Sequence, residues 1–176
     1  MQKTLALPVS LPLAQTKIIF LSLAFLSFAV PFSLGNSQII TGTIVNAALF
    51  SSAVLLPKKY FLPIIIFPSL GVLSRGIIFG PLTPFLLYFI PFIWLANLSL
   101  VIVLKKTFSS LGYFPAGLLA CLAKATVLFL FANLFFRLSI VPLLFLTIMG
   151  ANQLITACFG GVSAFFLLRK ASNGKL

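Results

Sequence analysis

Lys124 stands near the middle of an otherwise apolar run from Leu111 to Phe136. At about 1.5 Å rise per residue it lies roughly 18 Å from either end of that run, while the half-thickness of a bilayer core is about 15 Å. The butyl stem reaches only about 6 Å, so snorkelling does not carry the ammonium to a headgroup layer. Insertion scales put the cost of such a lysine at about 2.5 to 3.5 kcal/mol, and residues of this kind face a bundle interior or a polar cavity. Gly117, Ala120 and Cys121 precede Lys124 at helical spacings and share its face, which is therefore narrow and inward-pointing. The chemistry open to this group is recognition. A buried ammonium without a protein carboxylate pairs with backbone carbonyls, amide oxygens, water or an anionic ligand.

Other polar side chains interrupt the apolar runs at helical spacings. Trp94 and Asn97 lie one turn apart, and Gln153, Thr156 and Gly160 share one face beside Asn152. Gln38, Thr41 and Asn46 follow one another along a further run, and Arg75 and Arg137 flank others. The candidate substrate-binding set is Lys124 for charge, Asn97, Asn152, Gln153 and Thr156 for hydrogen bonds, Gln38, Thr41 and Asn46 as one wall, Trp94 for stacking, and Arg75 in a lid loop. The plainer reading is that asparagines and glutamines only join helices, through bonds worth about 1 kcal/mol, and that the arginines anchor at the interface.

The elements that must position these groups follow from composition. The chain has 176 residues, 61% of them hydrophobic and 14% aromatic, with a mean hydropathy of +1.25. Soluble domains are about 45 to 50% apolar, so this composition predicts an all-α integral membrane protein. Six transmembrane helices are expected at about 17–34, 38–56, 60–74, 85–104, 112–136 and 147–168, forming a single domain over 17–170. Residues 1–16 read as an interfacial or frayed lead-in and 171–176 as a cytoplasmic tail. Lys17 and the apolar stretch after it have the charge and length of a signal peptide, but the run continues through Leu34, so a first span is expected instead. Pro31, Pro63, Pro68 and Pro91 predict kinks or breaks, and Gly76 to Pro84 holds too many breakers for continuous helix. Thr43, Ala47 and Ser51 form a small-residue stripe that permits close helix approach.

Charge excludes several chemistries and sets an orientation. There are twelve Lys and Arg but no Asp, Glu or His. Carboxylate proton relays, carboxylate cation sites, histidine metal sites and Ser-His-Asp catalysis all lack their parts, so neither an enzyme nor a metal or cofactor site is expected. No Walker-type Gly-rich lysine loop is present, and Cys121 and Cys158 read as packing residues. The cations cluster between apolar runs, which points to anionic lipid headgroups and not to nucleic acid. With a cytoplasmic N-terminus, Lys3, Lys17, Lys58, Lys59, Lys105, Lys106, Arg169, Lys170 and Lys175 fall inside, leaving Arg75 and Arg137 outside. That is a strong positive-inside pattern with both termini cytoplasmic, and it reads as a multi-pass protein of the cell membrane, specifically a prokaryotic plasma membrane.

The segments from Gln38 to Ala47, Pro68 to Pro84 and Pro91 to Asn97, together with Lys124 and Asn152 to Gly161, resemble small membrane proteins related to the substrate-binding (S) components of energy-coupling factor (ECF) vitamin transporters. The resemblance implies a six-helix bundle that captures a vitamin or cofactor precursor from outside, with a transmembrane coupling protein and two ATPase subunits as partners. The cation and the absence of acids favour an anionic or neutral polar small molecule. Many members carry Ala-x-x-x-Ala in the first helix for docking, whereas Ala24, Ser27 and Ala29 lack that spacing here. A solitary transporter is thus one alternative, and a structural or accessory membrane protein is another.

Overall fold

Lipid offers no partners to backbone N–H and C=O groups, so each apolar run satisfies its own by coiling into a helix. A computed structural model describes residues 12–34, 37–75 and 83–173, and every regular element among them is helical. In order they are α1 (Leu13–Leu34), α2 (Gln38–Leu55), a 3-10 turn (Lys58–Tyr60), α3 (Phe61–Arg75), α4 (Thr83–Leu111), α5 (Tyr113–Arg137), α6 (Leu144–Met149) and α7 (Ala151–Asn173). The stretches Leu13–Leu34, Gln38–Leu55, Pro84–Leu111, Tyr113–Arg137 and Leu144–Ala171 are long and apolar enough to cross a membrane. The chain is an all-α, multi-pass membrane protein.

Four of the expected spans differ in bounds or continuity. The third span is as short as expected, 15 residues or about 22 Å by helical rise, but it is one continuous helix and not broken. Pro63 falls in its first turn, where a missing N–H has no helical partner to lose. Pro68 is buried inside the helix, and beside it Ser69 Oγ donates to Ile66 O at 2.8 Å. The fourth helix runs past the Lys105-Lys106 pair to Leu111. Lys105 lies against α2, and its Nζ donates to Ala53 O at 3.0 Å and Leu56 O at 2.8 Å, carbonyls at the C-terminal end of that helix. That pair marks the end of the apolar run and not the end of the helix. The last span is split at Gly150 into α6 and α7, and α7 continues to Asn173, into the expected tail. Gly150 is needed there because a Cβ would come within 2.5 Å of Leu146 O. The first helix begins at Leu13, before Lys17. Most of the breaker-rich connector, residues 76–82, lies outside the described residues, as does the lead-in before residue 12.

Paired contacts give the helix directions. Phe20 meets Tyr60, Phe28 meets Phe67 and Arg75 meets Ser33, so α1 and α3 run side by side in the same sense. Gln38 meets Asn152 and Asn46 meets Thr156, so α2 and α7 do likewise. Phe92 on Phe131 and Phe89 on Phe135 place α4 and α5 antiparallel. One core, containing Phe50, Ile64, Leu100, Leu104 and Ala120, ties α1 to α5 and α7 together. A second, containing Phe89, Leu128, Phe145 and Met149, packs α6 against α4 and α5. Among the described cations, Lys17, Lys58, Lys59, Lys105, Lys106, Arg169 and Lys170 sit at one end of the bundle, and Arg75 and Arg137 at the other.

Candidate functional site

Lys124 is 3% exposed. The small face that Gly117, Ala120 and Cys121 give α5 lets that helix pack on α7 and seats the Phe50 ring of α2 over Gly117. Across the gap, Lys124 Nζ donates to Asn46 Oδ1 at 2.6 Å. Asn46 Nδ2 in turn donates to Thr156 Oγ1 at 3.3 Å, and that hydroxyl donates to Gln153 O at 3.2 Å. Asn46 and Thr156 are each 1% exposed, so a continuous polar chain links α5, α2 and α7 in the buried interior. The small-residue stripe on α2 makes this approach feasible. A Cβ on Gly160 of α7 would come within 2.5 Å of Asn46 Cβ and 2.8 Å of both Ala47 N and Thr43 O.

The polar chain forms part of the wall of a cavity of about 120 Å³ between α1, α2, α3, α4, α5 and α7, with Met149 closing one side. Asn46 lies about 12 Å below the start of α2 by helical rise, and Lys124 and Asn97 lie deeper still from their own helix ends. Gln38, Thr41 and Gln153 line the end of the cavity nearer the Arg75 and Arg137 side, and between them and the floor the wall is apolar, with Val45, Val72, Leu86, Ile90 and Ile93. At the rim Gln38 Nε2 donates to Ile148 O at 3.1 Å and Gln38 Oε1 accepts from Asn152 Nδ2 at 3.1 Å, which orders that amide.

Of the candidate residues, Lys124, Asn97, Asn46, Thr41, Gln38 and Gln153 line the cavity together. Thr156 and Asn152 stand behind it and orient Asn46 and Gln38. Trp94 does not offer a stacking face; its Nε1 donates to Ser69 Oγ at 2.6 Å, and it is Ser69 that reaches the cavity. Arg75 is not part of a lid loop. It ends α3, and its Nη1 donates to Ser33 O at 2.7 Å and Phe32 O at 3.3 Å, tying α3 to α1 where the unpaired carbonyls of a helix end need donors. Ser69 and Met149 line the cavity without having been singled out from the sequence, and Pro31 and Pro68, expected only as helix breakers, line it too. For Ser69 a signal existed, a hydroxyl beside Pro68 in an apolar helix; Pro31 and Met149 are indistinguishable from packing residues.

No cluster of metal-ligating side chains occurs among the described residues. The arrangement can bind: it offers a buried lysine amine, amide groups of both polarities and an apolar waist. Comparison with protein-family models, curated proteins and solved structures gives no match, so a functional reading rests on the site itself.

Proposed function

We propose that this chain is a membrane-embedded capture subunit for a small micronutrient, a vitamin or cofactor precursor that is anionic or neutral and polar, taken from the outer side of the membrane. The observation that carries the reading is the buried Lys124 at the floor of a cavity, in a chain with no carboxylate to neutralise it. A buried cation held for packing alone is a net cost, whereas a ligand anion makes it useful. The positive-inside rule puts the lysine-rich end in the cytoplasm and the Gln38–Gln153 end of the cavity outside. Under the resemblance to ECF S components, energy comes from a coupling protein and two ATPase subunits. Ala24 and Ser27 of α1 are buried within the bundle, so a docking face on α1 would use other residues, and a solitary transporter stands beside that assembly.

A second reading is favoured by the amide contacts. Asn46, Asn97 and Asn152 each donate to another helix, as purely structural asparagines do. Mass spectrometry of small molecules released from purified wild-type protein and from Lys124→Ala separates the two. A metabolite near one per chain in the first and absent from the second supports capture; two empty preparations that stay empty after soaking in a micronutrient mixture support the structural role.

A further inference from the structure

Asn97 carries information about what the cavity holds. Its Nδ2 donates to Ile65 O at 3.1 Å, which fixes the amide orientation, since a flip would set oxygen against oxygen. Its Oδ1 is then buried with no hydrogen-bond partner, on a residue 1% exposed that lines the cavity. An unmet buried acceptor is costly, and its natural remedy is a donor brought in from outside the chain. In the same cavity Lys124 gives one hydrogen bond, to Asn46 Oδ1, out of the three its ammonium can give. The cavity thus combines an unsatisfied acceptor with a cation that has donors to spare, and most of the rest of its lining is apolar.

Charge and size narrow the ligand. A neutral ligand leaves the ammonium without a counter-charge in low dielectric, and a dianion such as a phosphate ester exceeds the one buried cation among the described residues. The cavity volume of about 120 Å³ compares with the roughly 150 Å³ of an engineered apolar cavity that accepts benzene. Resting on the capture reading, we propose that the ligand is a small monocarboxylate, no larger than a six-membered ring with its substituents, that also carries an N–H or O–H donor. Its carboxylate meets Lys124, and its donor meets Asn97 Oδ1.

The test is equilibrium binding to the full chain in lipid nanodiscs with four probes: benzoate, 3-hydroxybenzoate, 4-hydroxybenzoate and phenol, alongside mass spectrometry of copurifying small molecules. At least one hydroxybenzoate should bind about tenfold or more tightly than both benzoate and phenol. In Asn97→Leu that advantage over benzoate should vanish while benzoate still binds, and in Lys124→Met the acids should fall to the level of phenol. Equal binding of benzoate and the hydroxybenzoates to wild type overturns the inference without any variant having to fold, and so does an advantage that survives Asn97→Leu. A copurifying acid with a donor supports it, and a copurifying ligand lacking either group overturns it while leaving capture intact. If no probe binds and nothing copurifies, both the inference and the capture reading fall.

Discussion

At the scale of single residues, the two partners of the central hydrogen bond are not equivalent, and this yields a pair of opposed outcomes. Removing the charge with Lys124→Met relieves about 2.5 to 3.5 kcal/mol of insertion cost and leaves Asn46 Oδ1 unmet at about 1 to 3 kcal/mol. Ligand-free stability should therefore change little or rise by about 1 kcal/mol, while ligand binding is lost. Asn46→Ala does the reverse. It strands the ammonium without its acceptor at 2.6 Å, and losing a hydrogen bond to a charged group costs about 1.5 to 3 kcal/mol. Thermal unfolding in one detergent should rank Asn46→Ala far below both Lys124→Met and wild type. Equal melting temperatures for Asn46→Ala and wild type would mean that water, not Asn46, solvates Lys124. Lys124 and Asn46 were legible in the sequence because a polar group in lipid always needs a partner. The partner choice was not legible, because Asn46 and Asn97 are alike in sequence, and only the fold sets one against the ammonium and the other against Ile65 O.

At the scale of elements, the site depends on how closely α7 lies on α2. Gly160→Ala would put a methyl 2.5 Å from Asn46 Cβ and 2.8 Å from two backbone atoms of α2, none of which can swing aside. Overpacking of this kind costs about 1 to 3 kcal/mol, and here it also pushes Asn46 away from Lys124. We expect Gly160→Ala to lower both thermal stability and ligand affinity. Gly117→Ala is the control: its new methyl would meet only the Phe50 ring, at 3.2 Å, and it should cost much less. An equal loss in both would place the sensitivity in α5 and not in the α2–α7 seam. The seam was partly legible. Thr43, Ala47 and Ser51 announced a close approach but not its partner, because small residues on α1, α5 and α7 would have served equally. Helix ends were less legible than helices. The Lys105-Lys106 pair and Pro68 are strong local signals, yet α4 and α3 run through them, since tertiary contacts can anchor a lysine stem and a buried proline loses only one helical bond.

At the scale of the whole molecule, the sequence order of the cations and the alternation of the helices agree on one asymmetry. Every described lysine outside the membrane interior lies at the end where α2 gives way to the 3-10 turn and α4 to α5, and only Arg75 and Arg137 lie at the other. With no acid anywhere in the chain, nothing internal offsets this separation of charge, so insertion should be strongly directed. Cysteine accessibility reads the direction. In a background with Cys121 and Cys158 replaced by alanine, Leu138→Cys on the exposed connector after α5 should react with a membrane-impermeant maleimide added to intact cells. Ser110→Cys, exposed in the last turn of α4, should react only after the membrane is opened. Under the proposed capture role, this orientation sets which side of the membrane the cavity serves. Gln38 and Gln153 lie toward the Arg75 and Arg137 end, so the expected labelling gives a site loaded from outside and fits uptake. The inverse labelling would turn the same cavity toward the cytoplasm, where a buried cation would collect acids for export and the uptake reading would fail.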